Sequence, residues 1–155
     1  MKSKVSFEPL QPDAIEFLSA ATEVDYSRAD FERPCWMCVT ARSPGGSVIG
    51  VFIAEYMTWY EAHITCAISD PRFLTRRLLR AIFSTLFSRG VRVTAMTRPE
   101  NEQGIRILEH LGFLYEGYLR MGIDGRWDGL IYGMLRDDCR WIRAKEAPHE
   151  IAIAA

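Results

Sequence analysis

The stretch from Asn101 to Arg120 limits the fold more than any other part of the chain. Asn101 is predicted to cap a helix in which Ile105, Leu108 and Leu111 fall three apart on one face, while Glu102 and Arg106 are spaced to pair across one turn. Gly112 follows the last periodic residue, where a left-handed C-terminal cap is easiest without a Cβ. Phe113 then begins an extended run that continues through Tyr115 to Arg120. A helix that turns at once into a strand calls for an α/β arrangement with the helix packed on a sheet.

The remaining segments agree with that arrangement. Val5 to Leu10 alternates as a strand, and Pro12 and Asp13 open a helix carrying Ile15, Phe17 and Leu18. Residues 22 to 34 are polar with scattered aromatics and stop at a proline, which fits either a helix or an irregular cover. Met37–Ala41 and Val48–Ala54 are β-type runs joined by Ser43-Pro44-Gly45-Gly46-Ser47, a hairpin turn with two residues free to take positive φ. A strand is predicted over Glu61–Ser69, after the aromatic patch Tyr56, Trp59 and Tyr60. Asp70 and Pro71 then read as the N-cap and first turn of a helix with Leu74, Leu78 and Ile82 on one face, reaching about Phe87. Gly90 ends it, Val91–Met96 returns as a strand, and Asp124-Gly125-Arg126 turns the chain from the run ending near Arg120 into a last strand, Trp127–Leu135. The expected architecture is a mixed, mostly antiparallel sheet of about six or seven strands flanked by helices, in one domain over residues 1–142. Residues 143–155 have no core-forming pattern and read as a loose tail.

Bulk properties narrow the function. Nineteen basic against twenty acidic side chains give a formal charge of -1, so no global field recruits nucleic acid or an acidic membrane, and local patches must carry any anion binding. The four cysteines are too few and too irregular for a disulfide framework. Cys35 and Cys38 have CxxC spacing, but no second pair of ligands lies nearby, so no metal is expected. Acidic residues and prolines interrupt the N-terminal apolar run before a signal core forms, and no segment is long enough to span a membrane. A cytoplasmic protein is the resulting expectation.

The order Asn101, helix, Leu108-Glu109-His110-Leu111-Gly112-Phe113, then Glu116-Gly117 and Arg120, with a strand before it and Trp127–Tyr132 after it, resembles the Gcn5-related N-acetyltransferases, closest to their ribosomal-protein (RimJ/RimL-like) branch. Element order matches over about residues 5 to 140, and motifs over about 63 to 135. The resemblance implies a splay between the two central strands that receives acetyl-CoA as co-substrate, and transfer of its acetyl group to an amine, with a protein amino group favoured by analogy. It implies cofactor contacts at Ile68, at Arg72, Leu74, Thr75, Arg76 and Arg77 around the first helix start after the central strand, and at Asn101 and Arg106 on the later helix.

Three departures from the family pattern bear on this. Relatives usually place Gly-x-Gly before the phosphate-binding helix, where amides approach the pyrophosphate; this chain has no glycine between Pro71 and Arg77. Either Arg72, Arg76 and Arg77 replace backbone proximity with guanidinium charge, or the loop has lost its ligand and the arginines form a solvated face. Gly104 stands where the branch often has a serine near the CoA sulfur, and Leu108 where other branches have a tyrosine that protonates the leaving thiolate. For the base, Glu61 and His63 alternate onto one strand face, and an imidazole with an ordinary pKa of about 6.5 suits the task, though a plain hydrogen-bonded strand histidine fits the same pattern. Two further readings remain: a catalytically inactive domain of this fold that binds CoA or a protein partner, and a homodimeric interaction protein using the Trp127 hairpin edge.

Overall fold

A computed structural model describes residues 3–31 and 36–142. Its strands are β1 Lys4–Ser6, β2 Trp36–Arg42, β3 Val48–Tyr56, β4 Glu61–Ile68, β5 Arg92–Thr97, β6 Leu114–Ile123 and β7 Trp127–Leu135, and its helices are α1 Pro12–Thr22, α2 Arg76–Phe87 and α3 Glu102–Leu111. The strands form one sheet in the order β1-β2-β3-β4-β5-β7-β6. Every neighbouring pair is antiparallel except β4 and β5, which run parallel in the middle. The predicted mixed, mostly antiparallel sheet with flanking helices is thus the observed one.

Period-two alternation sends the central strands' side chains to two cores. Phe52, Ala54, Ala62, Ile64, Val93, Ala95, Tyr132 and Met134 face one side, where Leu78, Ile82, Phe83, Leu86 and Phe87 of α2 and Leu108 and Leu111 of α3 cover them. Val51, Ile53 and Ala67 face the other side and meet Ala14, Ile15 and Leu18 of α1. Burying each large apolar side chain contributes about 1.5–3 kcal/mol, which fixes both helix layers against the sheet. Arg42 ties the start of α1 to β2 through a two-pronged bond to Asp13 at 2.6 and 2.9 Å.

The defining stretch behaves as its residues predict. Asn101 Oδ1 accepts from the Gly104 amide at 2.9 Å, Arg106 pairs with Glu102 at 3.1 Å, and Gly112 takes φ 101° as the left-handed cap. Trp141, beyond β7, donates its indole N–H to the Leu111 carbonyl at 2.7 Å and so satisfies one of the helix's last acceptors.

The β2–β3 turn uses the freedom its glycines offer, Gly46 taking positive φ at 92°. Three expectations are corrected. The first strand is only Lys4–Ser6, not Val5–Leu10, because Pro9 brings no amide to a ladder and Leu10 turns into the α1 core. The strand predicted to run to Ser69 ends at Ile68.

The third correction matters most for function. Asp70 and Pro71 open a separate 3-10 turn, Pro71–Phe73, and α2 starts only at Arg76 with Thr75 as its cap, Thr75 Oγ1 accepting from the Leu78 amide at 3.2 Å. Leu74 lies before the helix instead of within it. The cause is Phe73, whose buried ring occupies the space a side chain at Gly50 would need: a Cβ there would meet ring carbons at 2.3 Å. To drop this ring onto β3 the chain turns once before α2 begins. The residues of the CxxC spacing and of the tail divide accordingly: Cys35 and 143–155 lie outside the described residues, and Cys38 is buried as a free thiol.

Candidate active site

β4 and β5 pair only from Glu61↔Arg92 to Ile64↔Ala95. Beyond that point β4 continues to Ile68 on β3 alone, while β5 continues to Thr97 on β7 alone. The two strands therefore part, and the edge of β4 from Thr65 to Ile68 faces no strand. A cavity of about 880 Å³ fills the parting. His63, Thr65, Thr94 and Met96 line it from the α1 side of the sheet, and Cys66, Gly104 and Leu108 line it from the α3 side, so it passes through the sheet.

At the wall of this cavity Glu61 and His63 meet, as their spacing predicts. His63 Nε2 lies 3.2 Å from Glu61 Oε1. The same carboxylate oxygen accepts from Thr94 Oγ1 at 2.8 Å and lies 3.4 Å from Arg92 Nε, which also donates to Thr94 Oγ1 at 3.0 Å. Arg92 in turn grips Glu116 of β6 with both terminal nitrogens. The bond from Thr94, with smaller help from His63 and Arg92, holds the Glu61 carboxyl below its ordinary value, and Arg92 does the same for Glu116. Glu61 is therefore charged near neutral pH, so the shared proton belongs to the imidazole and Nε2 is the donor. His63 lines the cavity, whereas Glu61 stands behind it.

The α1 side is covered by the exit of α1. Arg98, from the loop after β5, bonds Glu23 Oε2 at 2.7 Å and the Thr22 carbonyl at 3.1 Å, and Arg126 donates to the Glu23 carbonyl at 2.6 Å. Both guanidinium groups lie over the Trp127 ring, 3.6 and 4.0 Å from its centroid. Two cations on one indole are tolerated because Glu23 and Asp124 neutralise them and the ring quadrupole attracts them. This clasp, like Arg92 and Thr94, was not identified from sequence. Its bonded pairs lie up to 103 positions apart, and no local pattern marks them.

Of the eight predicted cofactor residues, one is on the cavity wall. Asn101 lines the cavity, with its Nδ2 donating to Thr97 Oγ1 at 3.1 Å. Gly104 lets it do so: a Cβ there would lie 2.5 Å from Asn101 Nδ2 and 2.8 Å from Thr97 Oγ1. Arg76 and Arg77 occupy the first turn of α2, whose opening amides the Thr75 cap satisfies only in part. Ile68 and Leu74 are half-buried against the α2 core. Arg106 is exposed and held by Glu102. Arg72 is not at the helix tip. It forms a fork with Asp70 at 2.7 to 3.1 Å, which holds the Asp70 carboxyl down at about 2, so the expected cluster of three arginines is two plus one neutralised pair. Among the described residues no group of three or more His, Cys, Asp or Glu side chains could hold a metal.

Among the described residues, Cys66 is the one cysteine on the cavity wall. It keeps some solvent contact at the wall, yet protein packs densely around its thiol, and this burial pushes the pKa up to about 11. Very little thiolate forms at neutral pH, so Cys66 is a poor nucleophile.

No protein-family model matches the chain, and no curated protein matches it in sequence. Solved structures do match. The ribosomal-protein-S18-alanine N-acetyltransferase of Escherichia coli superposes with a TM-score of 0.65 at 21% identity, over 86% of this chain and 94% of that one. The ribosomal-protein-S5-alanine acetyltransferase of Vibrio fischeri gives 0.63 at 16%, over 89% and 95%. The spermidine N-acetyltransferase of Vibrio cholerae, solved with CoA and spermine, gives 0.61 at 16%, over 86% and 96%.

Proposed function

We propose that this chain, which has the fold of the Gcn5-related N-acetyltransferases, transfers the acetyl group of acetyl-CoA to an amine. The observation that carries the reading is the cavity through the sheet where β4 and β5 part, with His63 on its wall. Such a passage lets an acyl donor and an acceptor approach one point from opposite faces.

The residues present fit the cofactor at two places. The free edge of β4 from Thr65 to Ile68 offers backbone donors and acceptors to an amide-bearing arm, as an added strand would use them. The tip of α2 offers unpaired amides, the positive end of a helix dipole and the guanidinium groups of Arg76 and Arg77 to phosphate. Acetyl-CoA, when bound, supplies an activated acyl thioester. The chain supplies orientation and proton handling: His63 takes the proton of the acceptor amine, β4 amides near Cys66 meet the developing negative charge on oxygen, and the cover over the α1 side limits water. The protonated Cys66 thiol is a poor acyl acceptor, so this reading has the amine attack the thioester carbonyl directly, with the CoA thiolate leaving as the C–S bond breaks. A protein amino group is the acceptor favoured by likeness to the S18 and S5 enzymes, and polyamines are the comparison.

One observation supports a second reading. Gly104 and Leu108, on the α3 side of the cavity, bring no proton donor to a leaving thiolate, which suits a domain that binds CoA without turning it over. The test has two steps. Saturating acetyl-CoA is expected to raise the melting temperature, since a ligand of the folded state alone must do so; no rise overturns both readings. Mass spectrometry of an alanine-ended peptide, a lysine peptide and spermidine after incubation is expected to show one added acetyl group on at least one of them. Binding with every acceptor unmodified selects the second reading.

A further inference from the structure

We infer that Arg92 and Glu116 are positioning residues, which hold Glu61 against His63 so that the ring keeps its proton on Nε2 and presents Nδ1 as the base. The inference rests on the proposed acetyl transfer for its purpose, though not for its measurement.

Three strands build the arrangement. Glu61 and His63 are two apart on β4, so their side chains share a face. The parallel register sets Arg92 beside Glu61 and Thr94 beside His63. β6 lies outside β7 and contributes Glu116 at an irregularity in its register, between Tyr115 and Gly117. Its carboxylate reaches across β7 because position 133 has no side chain: a Cβ on Gly133 would lie 2.4 Å from Glu116 Oε1. Gly133 thus opens a lane over the sheet from Glu116 to Arg92.

Arg92 is the junction. Its terminal nitrogens are taken by Glu116, which fixes the guanidinium plane, and its Nε is left to Thr94 at 3.0 Å and Glu61 at 3.4 Å. Thr94 is buried and has one hydroxyl proton, which it gives to Glu61. Glu61 Oε1 therefore faces His63 as an acceptor already fixed from behind. An imidazole's tautomer is set by the bond its other nitrogen makes, so a carboxylate on Nε2 leaves Nδ1 with the free lone pair. Among the described residues Nδ1 has no hydrogen-bond partner in the chain. A half-exposed histidine without this backing would rotate and exchange its proton with water; here rotation would break the bond to Glu61.

Nitrogen-15 NMR of the histidine rings, recorded as a pH series, tests this without substrate. The intact protein is expected to show a directly observed, slowly exchanging Nε2–H for His63 and an Nδ1 shift typical of an unprotonated nitrogen. Arg92→Gln is expected to broaden or abolish that Nε2–H signal, and Glu116→Ala to weaken it, while the His110 signals and the Glu102→Gln control stay unchanged. Should Arg92→Gln fail to fold, Glu116→Ala decides the matter. A His63 protonated on Nδ1, or an Nε2–H equally protected in the folded variants, overturns the inference.

Kinetics supplies the second readout. Arg92→Gln is expected to lower kcat about tenfold or more with little change in KM for the amine, and Arg92→Lys to recover part of the loss. Turnover with an unchanged kcat in the variants overturns the positioning role and leaves acetyl transfer standing. A protected Nε2–H with no turnover on any amine overturns the acetyl-transfer reading and leaves the geometry standing.

Discussion

His63 can accept a proton only at a nitrogen that carries none, and the side chain that replaces it decides what is lost. His63→Gln preserves polarity and approximate size but removes the proposed base, so if His63 takes the amine's proton kcat is expected to fall about 10²- to 10⁴-fold, with a melting temperature close to that of the parent. A loss of stability in step with activity would mark a structural residue instead. The Glu61–His63 pair was legible because both members belong to one strand and a period of two is readable from sequence. Their supports were not: Thr94 is 33 positions from Glu61 and Glu116 is 24 from Arg92, and only the register of the sheet brings them together. Gly104 teaches the reverse lesson. From sequence it reads as a missing serine, but in the fold it is the space that Asn101 needs to cap α3 and bond Thr97 at once. Gly104→Ala is therefore expected to cost about 1–3 kcal/mol in urea unfolding, through overpacking and a disturbed cap, despite alanine's better helix propensity.

At the scale of elements, the start of α2 decides how phosphate would be met. Asp70 and Pro71 have the same local chemistry as a true helix start, which is why the sequence points there. The tertiary demand of Phe73 on Gly50 overrides it and hands the cap to Thr75. Thr75→Ala is expected to destabilise the protein by about 1 kcal/mol, since the Leu78 amide loses its acceptor, whereas Asp70→Ala leaves α2 capped and frees Arg72. If the tip of α2 binds the pyrophosphate, Arg76→Ala with Arg77→Ala weakens CoA binding by calorimetry while Arg106→Ala, on α3 and paired with Glu102, does not. Equal affinities for all three proteins would remove the phosphate from this helix. The α3 cap and its glycine stop were readable in full because each of their signals is local. The splay itself was known only from family resemblance, because no residue pattern announces where two parallel strands cease to pair.

For the whole molecule, acid tests how far these pairs hold the fold. Asp13 bonded by Arg42, Glu61 by Thr94, Asp70 by Arg72, Glu116 by Arg92 and Asp128 by Tyr118 all have folded values below their ordinary ones. A carboxyl depressed by folding stabilises the protein above its unfolded value and ceases to do so as pH falls through its folded value. The urea midpoint is thus expected to be steady above about pH 5 and to decline progressively towards about pH 2. Several of these pairs are exposed, so each contributes little and the decline is gradual instead of abrupt. The cavity that crosses the sheet has a consequence for rate laws. On the proposed reading two reactants approach from opposite faces and do not displace one another, and the protonated Cys66 thiol is a poor store for the acyl group between visits. Initial-velocity plots against one reactant at fixed levels of the other should therefore intersect, and parallel lines would mean a covalent relay somewhere in the chain.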